Sequence, residues 1–425
     1  MIQTAPFARA SARLLGGIRE GRVSLADHRS RYLQPPAPTT QPRRELIAVI
    51  EASGLRGRGG AGFPTARKLQ AVADQPGSRI VVANGTEGEP VSLKDTTLLR
   101  TQPNLVLDGA VLAASAVGAG RLVIAVSRRQ REALDSIRAA LAERRHEGVP
   151  CPIELVETPP RYVAGEESAL VHWLNGGPAK PTSVPPRPFE RGIKGRPTLV
   201  QNVETLAHLT QIATHGADWF RRVGESEEPG TMLVTISGVA QAASVIEAAV
   251  GTPIAELITR AGGAPDQLHA VLVGGFFGTW LAAESLDLAF SRPGLARQGA
   301  SPGAGVLIGL RKDACPLRET ARLLTWFASE SSGQCGPCVF GLDAIARASR
   351  QLADGFLPPS DAERLQRLRR EITGRGACQH PNGAVRLLTS VLEVFAEDVE
   401  RHLNSKPCPA GPSVIGVPTV NTGWR

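Results

Sequence analysis

The chain has 425 residues, a formal net charge of +8 and 42% apolar residues. Only 4% of the residues are aromatic and the basic residues are dispersed, so the clustered basic face of a nucleic-acid-binding protein is not evident. No apolar run reaches the roughly 18 residues of a membrane span, and no charged segment followed by an apolar run indicates secretion. We therefore expect a cytoplasmic protein with two or three domains.

A glycine-rich stretch follows a Pro- and Thr-rich linker near the beginning of the chain. Five of the nine residues from Gly54 to Gly62 are glycine, and a helical pattern then runs from Pro64 through Lys68. Such a loop lets the backbone approach a ligand, and the N–H groups of the following helix start favour a phosphate. A G-x-G-x-x-G pattern begins at Gly57, but the segment before it has helical spacing, so a standard Rossmann turn is not expected. The alternative is a flexible turn without a ligand.

Strand and helix patterns alternate after this loop. The spacing predicts strands at 79–83, 121–126 and 153–157 and helices at 105–117 and 131–144. This alternation is typical of a parallel sheet, whose ligands bind beyond the carboxyl ends of the strands. The polar segments 84–90 and 161–170 are therefore candidate binding loops.

Some polar residues of this region also have a structural explanation. Glu166 and Glu167 stand at a predicted helix start, where they can complement the helix dipole. Residues 198–206 are expected to open another helix, with Asn202 and Glu204 as capping residues.

The character of the sequence changes at Gly230. A small β-rich domain is predicted there, with strands at 231–237, 244–249, 269–273 and 305–310 and a helix at 253–261. After Cys315 the chain is expected to be helical to Leu403. The proline-rich tail from Ser405 is expected to be loose.

Three cysteines form a candidate metal centre. Cys335 and Cys338 make a C-x-x-C pair and Cys378 follows 40 residues later, a spacing that suits an iron–sulfur centre or zinc equally well. Ser332 stands three residues before Cys335, where a further ligand would fall. His380 is an alternative fourth ligand.

Five motifs in this order resemble those of the flavoprotein subunit of respiratory complex I, a family that also supplies NADH-oxidising subunits of hydrogenases and formate dehydrogenases. The resemblance covers residues 44–400. Its motifs are 54–65, 84–90 with Lys94 and Asp95, 165–170, 197–206, and 330–338 with Cys378.

The resemblance implies an α/β FMN-binding domain with a parallel sheet, a ubiquitin-like β-grasp domain and a C-terminal α-helical bundle. The corresponding segments are an N-terminal extension and linker at 1–43, the FMN and NADH domain at 44–225, the β-grasp domain at 226–314, the iron–sulfur domain at 315–404 and the tail at 405–425.

Site residues follow from the same resemblance. Those expected around FMN are Gly57, Arg58, Gly59, Gly60, Ala61, Lys68, Asn84, Glu87, Tyr162, Gly165, Glu166, Val200, Asn202 and Thr205. Those expected toward NADH are Gly62, Phe63, Glu89 and Glu167. The [4Fe–4S] ligands implied are Ser332, Cys335, Cys338 and Cys378. The implied redox chemistry belongs to the flavin, so no residue is expected to act as an acid–base catalyst.

Several residues depart from the family pattern. Thr86 and Gln201 replace an acidic residue and an asparagine near the flavin, and Ser332 replaces the first cluster cysteine. Ala71, Val184 and Arg187 fall where an aromatic residue, a lysine and another aromatic residue commonly contact the adenine end of NADH. Loss of two stacking rings is expected to weaken NADH binding about tenfold or more.

Three functions are compatible with these observations. The leading hypothesis is an oxidoreductase that passes electrons between NADH and an iron–sulfur or ferredoxin-like partner through FMN, as part of a complex that can associate peripherally with a membrane. The second is a relay or scaffold subunit without nucleotide turnover. The third is a zinc-stabilised nucleotide-binding protein without redox activity.

Overall fold

The computed structural model describes residues 13–16, 21–32, 43–409, 411, 413–419 and 423–424. The remaining positions of the predicted N-terminal extension and tail lie outside the described residues. Residues 13–16 are held by a buried carboxylate, because Glu247 Oε2 accepts hydrogen bonds from the N–H groups of Arg13, Leu14 and Leu15 at 2.8 to 3.0 Å.

A four-stranded parallel sheet lies at the centre of the first part of the chain. Its strands are β1 (Arg79–Gly85), β2 (Ala119–Ser127), β3 (Ile153–Thr158) and β4 (Thr198–Asn202), in the spatial order β3-β2-β1-β4. The register places Val81 of β1 beside Leu122 and Leu199. The first three strands agree with the sequence prediction.

The strand β4 corrects the prediction that residues 198–206 open a helix. Thr198 to Val200 pair with β1, and the helix begins only at Val203. A run of five residues is too short for its periodicity to separate a strand from a helix turn. The pairing with β1 decides the conformation.

Helices cover both faces of this sheet, and three of them precede it in the chain. They are α1 (Leu25–Arg31), α2 (Arg43–Ser53), α3 (Thr65–Ala73), α4 (Lys94–Thr101), α5 (Pro103–Val117), α6 (Arg131–Glu143), α7 (Glu167–Leu174), α8 (Val203–His215) and α9 (Ala217–Arg221). Every residue of α5 except Ser115 is buried. Gly109 allows the close contact of α5 with α8, because a Cβ at this position would lie 1.9 Å from the Leu206 carbonyl oxygen.

A second, mixed sheet of five strands follows. Its strands are β5 (Thr231–Ser237), β6 (Ser244–Ala249), β7 (Leu268–Val273), β8 (Thr279–Ala282) and β9 (Val306–Arg311), in the order β6-β5-β9-β7-β8. β5 and β9 are parallel, and the other pairs are antiparallel. The helices α10 (Ile254–Arg260) and α11 (Arg292–Leu295) belong to this region. The sequence analysis did not predict β8, a strand of four residues that contains the buried Trp280.

The chain ends in helices that pack on β8 and on one another. They are α12 (Pro316–Ser329), α13 (Leu342–Ala353), α14 (Pro359–Ile372), α15 (His380–Val394) and α16 (Ala396–Leu403). The sequence analysis expected a loose tail after them. In its described part, Ile415 is buried, and its N–H donates to Glu319 Oε2 at 3.0 Å.

None of the helices in the described ranges combines the length and the apolar character that crossing a bilayer requires.

Candidate functional site

The glycine-rich loop joins two helices, α2 and α3. The prediction that a helix precedes it agrees with the structure. The loop is closed by a 2.9 Å hydrogen bond from Gly57 N to the Phe63 carbonyl, and it is tied to α8 by a 2.9 Å bond from Arg58 N to Thr205 Oγ1. Gly60 and Gly62 have φ angles of 109° and 61°, which favour glycine. These constraints turn the middle of the loop outward.

The outward turn leaves a row of backbone donors free. Within the described part of the chain, no group accepts a hydrogen bond from the N–H of Gly59, Gly60, Ala61 or Gly62. Gly59 and Ala61 are exposed and Gly60 is partly exposed, whereas Gly62 is buried, so solvent reaches the first part of the row. Successive N–H groups in such a turn form an anion-binding concavity. The loop therefore has the donors that a phosphate group needs.

The side chain of Arg58 points away from this row. It is buried, lies 3.6 Å from Glu228 and donates to the Thr231 carbonyl at 3.0 Å. Burial lowers the pKa of Arg58, although the nearby carboxylates of Glu204 and Glu228 act to raise it. Arg58 thus fastens the loop to the second sheet through its side chain, and only its backbone faces the predicted site.

Arg292 of α11 is a residue that the sequence analysis missed. Its Nη2 donates to the Gly60 carbonyl at 2.7 Å, and its backbone N–H donates to Glu228 Oε2 at 2.9 Å. A Cβ at Gly62 would lie 2.0 Å from Arg292 Nε. Arg292 brings a positive charge to the loop from 232 residues away. No local sequence pattern indicates this contact.

The carboxyl edge of the parallel sheet brings three of the predicted loops together. Asn84 and Asn202 are register partners on β1 and β4. Asn84 Nδ2 donates to the Gly165 carbonyl at 2.8 Å. A Cβ at Gly59 would lie 3.2 Å from Asn202 Cβ, so the glycine loop closes over the end of β4. Val200 of β4 is buried beneath this edge.

A buried ionic cluster supports this edge. Lys94 Nζ lies 2.7 Å from Asp95 Oδ1 and 2.9 Å from Glu204 Oε2. Burial acts to lower the pKa of Lys94, but the two carboxylates outweigh it and the pKa is raised. Burial acts to raise the pKa of Glu204, but Lys94 holds it at about 2. The lysine and Glu204 are therefore both charged at neutral pH.

Two predicted site carboxylates cap helices. Glu87, at a positive φ of 41°, accepts hydrogen bonds from Asp95 N at 2.9 Å and from Thr96 N at 2.8 Å, at the start of α4. Glu166 Oε2 accepts from Ser168 N and Ala169 N at 3.0 Å each, at the start of α7. The sequence analysis placed Glu166 at a helix start, where it can complement the helix dipole, and the structure agrees with that position.

Two further predicted residues form an ion pair between α3 and α7 at the edge of the candidate site. Lys68 Nζ of α3 lies 2.5 Å from Glu167 Oε2 of α7, and both side chains are about one quarter exposed, at 24% and 28%. Phe63, two residues before α3, is 49% exposed, and its ring centroid lies 5.6 Å from the Arg67 guanidinium. The pair connects the helix after the glycine loop with the helix after β3.

Glu89 lies where the first sheet meets the second. Its Oε2 accepts hydrogen bonds from Phe276 N at 3.0 Å and from the Tyr162 hydroxyl at 3.2 Å. Its Oε1 is buried and has no partner among the described residues. Burial raises the pKa of Glu89 to about 8. A buried acceptor without a donor is a position that a bound ligand can satisfy.

The cysteines predicted as metal ligands gather near α7. Burial, and then the neighbouring Cys335 and Cys378 thiols, raise the pKa of Cys338 to about 12. Burial raises the pKa of Cys378 to about 11, and Glu166 acts in the same direction. All three thiols are free. The structure thus brings together the C-x-x-C pair and Cys378.

Ser332 and His380 are the other two residues that the sequence offered as ligands. Ser332 is buried, and its carbonyl accepts a hydrogen bond from Lys180 Nζ at 2.7 Å. His380 Nε2 lies 2.9 Å from the Phe327 carbonyl oxygen, so this ring nitrogen has a protein partner. His380 Nδ1 is buried without a partner in the described chain.

Aromatic rings connect Glu89 to the cysteine region. The Tyr162 ring lies 4.8 Å from that of Phe277, 4.9 Å from that of Trp326 and 5.7 Å from that of His380. His380 is two residues after Cys378. Tyr162 therefore contacts both the candidate nucleotide region and the helical domain.

Comparison with known proteins identifies the class. Residues 50–211 match the Nuo51 FMN-binding domain, and residues 318–402 match the NADH-ubiquinone oxidoreductase-F iron-sulfur binding region. The chain therefore contains the FMN-binding and iron–sulfur regions that the sequence motifs indicated.

Similar proteins extend over most of the chain. The F subunit of the NADH-quinone oxidoreductase of Streptomyces coelicolor is 32% identical over 87% of this chain and 85% of its own length. The HndC subunit of the NADP-reducing hydrogenase of Solidesulfovibrio fructosivorans is 30% identical over 87% of this chain and 78% of its own. The chain belongs to the family of NADH-quinone oxidoreductase F subunits.

A solved structure shares the fold. The air-oxidized NAD⁺-reducing [NiFe]-hydrogenase aligns with a TM-score of 0.79 and 31% identity over 89% of this chain. This chain spans 65% of the length of that hydrogenase chain. The α/β architecture with a parallel sheet is confirmed by this similarity.

Proposed function

We propose that this chain oxidises NADH with FMN bound at the carboxyl edge of the parallel sheet and delivers electrons to an iron–sulfur cluster held by the helical domain. The observation that carries the proposal is the row of free N–H groups from Gly59 to Gly62, placed over the sheet edge where Asn84 and Asn202 meet. The family to which the chain belongs supports the same assignment.

The residues present fit FMN. The phosphate would bind the free N–H groups of the loop, with Arg292 adding positive charge and Arg58 holding the loop in place. The predicted residues Asn84, Gly165, Glu166, Val200, Asn202 and Thr205 would surround the rest of the flavin. When bound, the flavin supplies the conversion between two-electron and one-electron transfer.

The chain's own groups position the nucleotides. The Lys68–Glu167 ion pair connects α3 with α7, and the Phe63 ring just before α3 is exposed to a bound nucleotide. The unpartnered Oε1 of Glu89 is placed to form a hydrogen bond with a bound group. None of these residues is required to transfer a proton.

The donor set also fits an iron–sulfur cluster. Cys335, Cys338 and Cys378 carry free thiols, and the first and third raise the pKa of Cys338. Ser332 is the predicted oxygen ligand at the fourth position. Tyr162 contacts the helix that follows Cys378, which supports electron transfer between the two regions.

The second candidate function is a relay or scaffold subunit that does not turn over NADH. Ala71, Val184 and Arg187 favour it, because they replace residues that commonly contact adenine in the family, and Val184 is 45% exposed. In either case the partners are iron–sulfur or ferredoxin-like subunits of a larger cytoplasmic assembly. The strand order of the second sheet supports a β-grasp domain, and α12 to α16 support a helical bundle.

An anaerobic titration separates the two candidates. The FMN-reconstituted chain is titrated with NADH while the visible absorbance of the flavin is followed. Stoichiometric bleaching at micromolar NADH supports the oxidoreductase. Bleaching by dithionite, with none by NADH or NADPH, contradicts it and supports the relay.

A further inference from the structure

A second group of metal-ligating side chains lies outside the candidate cofactor site. Cys315, His402 and Cys408 place their ligand atoms within 4.8 Å of one another. His402 Nε2 lies 3.7 Å from Cys315 Sγ and 3.2 Å from Cys408 Sγ. The three residues come from the start of α12, the end of α16 and the tail, so the tertiary structure creates the group.

The hydrogen bonds of His402 decide which of its ring nitrogens carries the lone pair. Its Nδ1 lies 3.1 Å from the Leu352 carbonyl oxygen, which fixes the proton on Nδ1. Its Nε2 accepts a 3.0 Å hydrogen bond from the Cys408 backbone N–H, so the Nε2 lone pair points toward Cys408, and metal binding replaces this hydrogen bond. A histidine held in this way by a backbone carbonyl is the usual arrangement of a metal ligand.

Two charged side chains of α16 lie beside Cys408. Arg401 Nη2 lies 3.3 Å from Cys408 Sγ. Asp398 stands one turn before His402 on α16, and its Oδ1 lies 3.9 Å from Cys408 Sγ. Residues four apart share one face of a helix, so Asp398 lies on the same side of α16 as His402, where its Oδ1 also pairs with Arg401 Nη2.

We propose that Cys315, His402 and Cys408 bind a zinc ion. Two thiolates and a neutral imidazole are a ligand set that zinc prefers, and the geometry needed is tetrahedral. Binding displaces the protons of the two thiols into solvent and leaves the metal oxidation state unchanged. Cys315 also borders a cleft of about 700 Å³ between α12 and the tail, which gives the ion a route of entry.

The consequence of this site is a link between the tail and the helical domain. The ion joins residue 315 to residue 408 and closes a loop around α12 to α16. A metal that binds only the folded chain stabilises it, and the stabilisation grows with the free metal concentration. The cluster at Cys335, Cys338 and Cys378 has no residue in common with this site.

Cobalt binding tests the proposal in the full-length chain. Replacing Cys335, Cys338 and Cys378 together with serine removes the other thiol site, and Co²⁺ is then titrated anaerobically. We expect one Co²⁺ per chain with thiolate-to-cobalt charge-transfer bands and the intense ligand-field bands of a tetrahedral ion. Adding Cys408→Ser or His402→Gln should weaken binding at least tenfold, and adding Cys151→Ser, a buried thiol elsewhere, should leave it unchanged.

Three results would overturn the zinc site. The first is that a chain of native helical content binds no cobalt. The second is that cobalt binds equally well with and without Cys408→Ser. The third is a Cys315–Cys408 disulfide, detected by mass spectrometry after purification under reductant. If the triple variant fails to fold, zinc per chain is measured in the otherwise unchanged protein carrying Cys408→Ser or Cys151→Ser. Loss of zinc in the first alone supports the site, and equal zinc in both contradicts it.

Discussion

The Tyr162 hydroxyl donates a 3.2 Å hydrogen bond to Glu89 Oε2, while the Tyr162 ring packs 5.7 Å from His380. One side chain therefore touches both a carboxylate beside the candidate nucleotide site and the helix that follows Cys378. Two regions that lie more than 200 residues apart in sequence are joined through this tyrosine. Substitutions at Glu89 and at other buried or closely packed positions of the candidate site should therefore have measurable effects.

The Glu89 carboxyl should make stability depend on pH. Its pKa is about 8 in the folded chain and near 4.5 when unfolded, so the folded state binds the extra proton between these values. Stability should therefore fall as the pH rises from about 5 to 8, by up to a few kcal/mol. Urea unfolding of the FMN-free chain and of Glu89→Gln, at pH 5.5 and at pH 8, measures this effect. The difference between the two proteins should change with pH, and a constant difference would contradict the raised pKa.

Lys94 should be essential for the buried ionic cluster. Replacing Lys94 with methionine leaves Asp95 and Glu204 without their cation, and breaking a buried pair in this way costs about 3–5 kcal/mol. Urea unfolding at pH 7 measures the loss. Lys406→Met, at an exposed position, is the control and should change stability by less than about 0.5 kcal/mol. Equal stability of the two variants would show that Lys94 does not neutralise these carboxylates.

The glycine loop should lose FMN when Gly62 is replaced with alanine. A Cβ there meets Arg292 at 2.0 Å, so the loop and the arginine must move apart. We expect FMN affinity to fall at least tenfold, measured by quenching of flavin fluorescence on binding.

Gly77→Ala is the matched control for this substitution. Gly77 also has a positive φ, of 84°, but a Cβ there meets nothing within 4 Å. Both variants carry the backbone penalty of a left-handed residue, and only Gly62→Ala creates the contact. Similar FMN affinities of the two variants would rule out a role of the Gly62–Arg292 contact.

Ser332 should limit the retention of iron. Replacing Ser332 with cysteine restores a thiolate at the predicted ligand position, and thiolate is the ligand that iron–sulfur clusters prefer. Iron and sulfide per chain after anaerobic purification should increase. Ser360→Cys, at an exposed position of α14, is the control and should produce no increase. Unchanged iron in Ser332→Cys would count against a ligand role of Ser332.

Local patterns in the sequence were enough to predict three strands of the parallel sheet and to single out the glycine loop and the C-x-x-C pair as candidate sites. The strands at 79–83, 121–126 and 153–157 were recognisable because β-branched runs alternate with helical spacing. The glycines from Gly57 to Gly62 and the C-x-x-C pair carry their chemistry in their own spacing. These features depend on neighbours in the chain, so one sequence suffices to find them.

The tertiary structure decided which distant groups meet. The strand β4 exists because residues 198–202 pair with β1, although their short pattern suits a helix start equally well. Arg292 reaches Gly60 across 232 residues, and Cys315 meets His402 across 87. Contacts at such separations depend on how sheets and helices pack against each other, and local spacing carries no record of that packing.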